Sequence, residues 1–343
     1  MASTLDLPSL TADQARAILK KHLSLDSDVT SVTSSPDAAL STLSPSTNFV
    51  VHLADGTSHI VRATIPASST SVYTPNTLAI EHSLRQLLSK RPDIPQPTVH
   101  GYDDSLEITP FPYLLLSRPR GITLSQARAS GKLSERQSLL LDLRIGSLYK
   151  SLHDNVQNDW FGLPTQEKDE LYSWQEAFTW LLEGLLTQVR ESGEDLPFED
   201  VRRYLSRAIG FFLFDDCEVP SLISFLGDED TILVDFDPES PSTHEEVPIT
   251  SLVPVSHALW GDPLLENIFL NPTDAFLEGY GTNLMIFPRQ KTKRLWYTLF
   301  MALAVLAQIS GKNEEDEKVR QRAEWARKIA KESIEKLKDA PYY

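Results

Sequence analysis

Carboxylates crowd one stretch of this chain: Asp228, Glu229, Asp230, Asp235 and Asp237. Side chains of this type accept protons and hold hard cations. Asp235-Phe236-Asp237 mimics a strand end that presents metal-binding groups. Further on, His257 could act as an acid or base near neutral pH; its plainer reading is a partly exposed loop histidine. Trp260, beside Gly261 and Asp262, reads as a packing corner before it reads as a binding platform. His153, on a helical face ahead of Asn155, reads as structural. Cys217 sits among Asp215, Asp216 and Glu218. Those neighbours raise a thiol pKa and make it a poor nucleophile. No Ser-His-Asp arrangement and no metal-ligand cluster of specific spacing stands out.

The elements that must position these groups belong to a globular chain. It has 343 residues, 41% hydrophobic and 23% charged. That length supports one large domain or two lobes, each with its own core. A net charge of −16 with no strongly basic cluster argues against nucleic acid and anionic membranes as partners. The single cysteine excludes an intrachain disulfide and fits a reducing, cytoplasmic setting. The opening MASTLDLPSL lacks the basic and apolar regions of a secretory signal. The longest apolar stretch, Leu299 to Ile309, is about half a membrane span and reads as a buried helix.

Leu10 to Leu23 reads as a helix opened by Thr11 and Asp13. The next stretch, to Asn48, is rich in Ser, Thr and Pro. Asn48 to Thr64 reads as two strands around Asp55-Gly56. Ala67 to Asn76 is a polar loop. Thr77 to Lys90 carries the helical stripe Leu78, Ile80, Leu84, Leu87 and Leu88. Extended segments follow at Ile94–Tyr102 and Tyr113–Leu116. Helices are expected over 134–154, 174–191, 198–214, 294–309 and 315–338. Short strands are expected over 222–226, 231–235 and 249–255, with a solvated loop over 236–248. The last helix has a thin apolar face and a charged outer surface.

Several segments together resemble aminoglycoside-phosphotransferase-like proteins, in order and spacing over roughly residues 10 to 310. These are ADGTSHIVRAT, the helix bearing Glu81, IPQP, PYLLLSRPRG, NDWFGLP, SWQEAF, ALWGDPLLE and FLEGYG. The resemblance implies an α+β, bilobal, protein kinase-like fold. Its small mixed N-terminal lobe spans residues 1–118 and ends at the hinge. Its helical C-terminal lobe spans residues 119–343. It also implies where phosphate-transfer groups should stand: a lysine steadied by a helix glutamate, a catalytic-loop aspartate with an asparagine after it, and a metal aspartate. This chain keeps the glutamate as Glu81 and has Arg62 for the lysine. Ser224 stands at the loop histidine, Leu226 at the catalytic aspartate, Thr231 at the magnesium asparagine and Pro254 at the metal aspartate. Leucine cannot accept a proton, and proline offers a hard cation no side-chain oxygen. Arg62 could pair with Glu81 or bind a ligand anion.

The departures imply a kinase-fold protein that binds a small molecule without ordinary Mg-ATP phosphotransfer. It is repurposed, for example for a non-phosphotransfer step of fungal-type secondary metabolism. Arg62, Glu81, Leu115, Ser117 and Trp260 would line its inter-lobe cleft. His257 and Asp228 are the candidate catalytic residues; no metal and no cofactor is expected. One alternative is a catalytically dead pseudokinase with a regulatory or scaffold protein partner. Another is a small-molecule phosphotransferase with relocated carboxylates, Asp228 or Asp237, which alone would require ATP and magnesium.

Overall fold

The computed structural model describes residues 9–25, 28–35, 46–64, 73–166, 168, 171–240, 244–310 and 317–341. The chain packs as two compact units that interleave along the sequence. The first comprises residues 1–68, 75–141 and 228–256; the second comprises 69–74, 142–227 and 257–343. These packing units cut the chain differently from the expected lobes, 1–118 and 119–343, for a hydrogen-bonding reason. Strand β6 (Ile122–Thr123) pairs with β8 (Leu233–Val234), which pairs with β9 (Ile249–Ser251). That three-stranded sheet draws residues 228–256 back to the first unit.

The first unit opens with helix α1 (Ala12–Leu23), closed at its start by a reciprocal Thr11–Gln14 capping box. An antiparallel sheet follows in the order β1-β2-β3-β5-β4. Its strands are β1 (Val29–Ser35), β2 (Ser46–Leu53), β3 (Ser58–Thr64), β4 (Val99–Asp103) and β5 (Tyr113–Ser117). The β2–β3 hairpin turns through Asp55 and Gly56, as the sequence indicates, with Gly56 at φ 83°. Asp55 Oδ1 accepts from the Thr57 amide and hydroxyl at 2.8 and 2.6 Å. Strand β1 is new, formed within the Ser/Thr-rich stretch and paired to β2.

Period-two alternation decides which way each side chain faces. Val61, Ala63, Tyr113 and Leu115 join Ala15, Ile18 and Leu19 of α1 in one core cluster. Ile60, Leu114 and Leu116 face the other way and pack with Leu78 of helix α2 (Leu78–Leu88). The polar loop expected over 67–76 lies outside the described residues up to 72. Helix α3 (Leu124–Ala129) and the start of α4 (Glu135–Asn155) complete this unit.

The second unit is mainly helical. It contains the rest of α4, α5 (Trp174–Glu191), α6 (Phe198–Gly210), α7 (Asp274–Tyr280), α8 (Pro288–Ile309) and α9 (Glu317–Lys338). A short ladder joins β7 (Ser221–Ile223) to β10 (Leu259–Gly261). Helix α8 is buried along most of its length and apolar all round from Leu299 to Ala307, as a central helix must be. Helix α9 lays Ala323, Ala326, Ala330, Ile334 and Leu337 inward and packs on α8. Helix α6 stops at Gly210, short of the expected Phe214, because Phe212 takes a left-handed φ of 51°. Helices α4 and α7 cross at paired glycines. A Cβ on Gly279 would stand 1.9 Å from the Leu143 carbonyl oxygen, and one on Gly146 2.1 Å from that of Phe276. No described helix is long and apolar enough to cross a membrane.

Candidate functional site

Alternation on β3 turns Arg62 to the α2 side, opposite to Val61 and Ala63. Glu81 lies in the first turn of α2 and is wholly buried, as is Arg62. Arg62 Nε and Nη2 donate to the two Glu81 oxygens at 2.8 Å each, the fork geometry that suits a carboxylate. Nη1 donates to Asn48 Oδ1 at 3.2 Å; Asn48 stands directly opposite Arg62 in the β2–β3 register. Nη2 also donates to Ser256 Oγ at 3.0 Å.

Ser256 belongs to the segment after β9 that contains Pro254. Asn76, just before α2, fixes the same segment. Its side-chain amide donates to the Val255 carbonyl at 2.8 Å, and its backbone N–H donates to the Ser256 carbonyl at 2.7 Å. The Leu252 amide donates to the Pro95 carbonyl at 3.0 Å. Pro254 is buried within this anchored run. Among the described residues, no group of three or more His, Cys, Asp or Glu side chains could hold a metal ion.

Asp228 and Thr231 close a tight turn in the first unit. Thr231 Oγ1 accepts from the Asp228 amide and donates to the Asp228 carbonyl, both at 2.8 Å. Asp228 Oδ1 accepts from the Asp230 amide at 3.0 Å, and Asp237 Oδ1 accepts from the Glu239 amide at 2.9 Å. Glu229 pairs with Arg128 at 3.0 Å. These carboxylates are thus spread over local turns and a surface pair. Leu115 is wholly buried in the core cluster shared with α1, so its side chain is core rather than cleft lining. Ser117 exchanges hydrogen bonds with Thr98, its Oγ accepting from the Thr98 amide at 2.8 Å and its amide donating to the Thr98 carbonyl at 2.9 Å.

In the second unit, Ser224 is buried against Glu266. Its amide and its hydroxyl each donate to a Glu266 oxygen at 2.6 Å. His153 Nδ1 meets the Tyr280 hydroxyl at 2.9 Å, and its Nε2 lies 3.5 Å from Glu266. Leu226 is buried. His257 is not the partly exposed loop residue expected. It is 4% exposed, and its Nδ1 meets the Tyr73 hydroxyl at 3.0 Å. Phe225 and Phe300 pack edge-on against the Tyr73 ring. Trp260 lies in β10, opposite Leu222 of β7, and its amide donates to the Gly162 carbonyl at 2.9 Å. Burial, then the Asp262 charge, pushes the Cys217 thiol far up, in keeping with an inert sulfur.

The sequence reading missed Asn76, Ser256 and Glu266 as partners of the candidate positions. Glu266 ends the ALWGDPLLE motif, which was the signal available for it. Asn76 and Ser256 are common polar types whose contacts cross about 180 residues of chain, and spacing carries no trace of them.

A scan of family models matches nothing in this chain, and a comparison with curated proteins likewise gives no match. Solved structures do match. One is a protein of Ralstonia eutropha JMP134 that has been assigned as an aminoglycoside phosphotransferase. It is 10% identical, with a TM-score of 0.62 over 97% of this chain and 100% of the other. A thermostable mutant of aminoglycoside phosphotransferase APH(4)-Ia is 17% identical, with a TM-score of 0.57 over 93% and 98%. The GDP complex of aminoglycoside 2'-phosphotransferase-IIIa is 15% identical, with a TM-score of 0.53 over 96% and 99%. At these identities the likeness concerns architecture, and it extends over nearly all of each chain. The chain therefore has the α+β kinase-like fold of the aminoglycoside phosphotransferases.

Proposed function

We propose that this chain is a kinase-fold, small-molecule-binding protein that does not carry out ordinary Mg-ATP phosphotransfer. The observation that carries the reading is the commitment of Arg62. A cation at this strand position in a phosphotransferase holds nucleotide phosphates. Here the guanidinium is buried and its hydrogen bonds among the described residues include two to Glu81 and one each to Asn48 and Ser256. A phosphate would have to take it from all three partners. Leu226 and Pro254 supply no side-chain oxygen at the positions where the resemblance expects carboxylates, and the Thr231 hydroxyl closes its own turn.

The fold then serves as a scaffold for a role other than phosphate transfer, since architecture alone does not fix chemistry. A conversion such as a cyclisation or isomerisation, of the kind used in fungal-type secondary metabolism, fits that role. We assign His257 as its acid–base group, supported through Nδ1 by Tyr73.

A thermal-shift titration with ATP, with and without magnesium, tests the reading. A nucleotide at a hundred times its dissociation constant would stabilise the fold by about 2.7 kcal/mol. No shift is expected. Magnesium-dependent ADP release that disappears in Asp228→Asn or Asp237→Asn would overturn the proposal in favour of relocated carboxylates.

A further inference from the structure

Arg85 follows Glu81 by one turn of α2 and is 1% exposed. Among the described residues, none of its three guanidinium nitrogens reaches a hydrogen-bond acceptor. Its neighbour Glu81 is already engaged by both arms of Arg62. Two buried guanidinium groups thus share one carboxylate. Burial lowers the Arg85 pKa to about 10, still far above neutrality, so the group stays charged. A buried cation with only a shared carboxylate nearby and no hydrogen bond to it is costly. Arg294 in the second unit is the instructive contrast. Its Nη1 donates to the Leu264 and Glu266 carbonyls at 2.7 and 2.9 Å, so it has acceptors that Arg85 lacks.

Arg85 lies in the wall of a groove of about 660 Å³ formed within the first unit by the second half of α2, the Pro95–Pro97 turn and β4. That size suits a small organic molecule. Polar lining comes from His82, Ser89, Arg91, Gln96 and His100. Among the described residues no aspartate or glutamate lines it, on a chain whose net charge is −16. Arg91 is partly neutralised by Asp93 at 3.1 Å, which leaves Arg85 as the principal charge. Gln96 lies against Arg85, its Nε2 donating to the Arg85 carbonyl at a long 3.4 Å. Its buried Oε1 has no partner. A side chain held so weakly is free to give way.

We propose that this groove binds a small organic anion, whose carboxylate or phosphate group displaces the Gln96 side chain and pairs with Arg85. The guanidinium fork matches either oxyanion bidentately. The site is independent of the phosphotransfer reading, because it uses neither Arg62 nor any position expected to hold nucleotide or metal.

The test is a thermal-shift titration of the full chain with inorganic phosphate, and separately with acetate, against chloride at equal ionic strength. A saturable rise in melting temperature is expected with at least one of the two, and which one responds identifies the head group. Arg85→Met keeps the length and removes the charge. It should lose the response, or weaken the midpoint by about tenfold or more. Gln96→Glu places a carboxylate beside Arg85. It should raise the melting temperature in anion-free buffer and abolish the response. The proposal fails if neither anion shifts the wild-type protein beyond chloride, or if Arg85→Met responds like wild type. If Arg85→Met does not fold, an undiminished response in Gln96→Glu overturns the proposal equally.

Discussion

Arg62 stands between Asn48 on one neighbouring strand and Leu114 on the other, and its fork closes on Glu81. Removing one partner of a buried ion pair strands the other charge. Glu81→Gln is therefore expected to destabilise the protein by about 3 kcal/mol or more, read from the urea midpoint. A second residue-scale prediction concerns Asp103. Burial pushes its carboxyl up, but hydrogen bonds from Lys21, Ser105 and Tyr113 override this and hold it well below the usual carboxylate range. Its folded pKa lies below an unfolded value of about 3.9. Its contribution is thus complete at neutral pH and is lost as pH falls below about 4. Asp103→Asn should melt lower than wild type at pH 7 and show a shallower fall in melting temperature between about pH 5 and pH 3. At this scale the sequence shows which residue types stand at the expected positions but not what they contact. Leu226 and Pro254 are legible as missing oxygens. The partners of Arg62 and the burial of His257 arise from long-range packing, which no local pattern encodes.

Helices α4 and α7 meet where Gly146 and Gly279 let one backbone lie against the other. Gly279 is the first glycine of the FLEGYG motif and lies within α7. Gly279→Ala would force its methyl against the Leu143 carbonyl, and the helices must part to relieve it. A loss of about 3 kcal/mol in chemical denaturation is expected, with the helical content of the remaining folded protein unchanged by circular dichroism. Most elements were legible because each carries its own period. Stripes of leucine marked α2 and α4, and Asp55-Gly56 marked the hairpin. Strand β1 was not legible. Its residues, VTSVTSS, lack apolar alternation, and it is a strand only because β2 supplies a partner on one side. Its β-branched Val and Thr residues were the one available cue. The short strands β7, β8 and β9 shrank relative to expectation, since apolar runs there are core lining as much as ladder.

For the molecule as a whole, the overall plan was legible from the order of motifs, and the division into packing units was not. A boundary near the hinge follows from reading the chain linearly, whereas residues 228–256 return to the first unit through the β6-β8-β9 ladder. The net charge of −16 also acts at this scale. Self-repulsion opposes compaction and is screened by salt. Raising ionic strength from roughly 0.01 M to 0.15 M shortens the Debye length from about 30 to about 8 Å. The melting temperature should rise with sodium chloride over that range; a fall would show that local ion pairs such as Arg327–Glu194 outweigh the repulsion. Under the proposed function, the stitch of Asn76, Arg62 and Ser256 also bears on reversibility. Reinstating a carboxylate by Pro254→Asp would leave Arg62 and the segment around it held as they are. On the proposed function, gaining phosphate transfer would need several substitutions at once, each of little benefit alone. The anchored segment therefore makes the proposed loss of phosphate transfer hard to reverse by any single change.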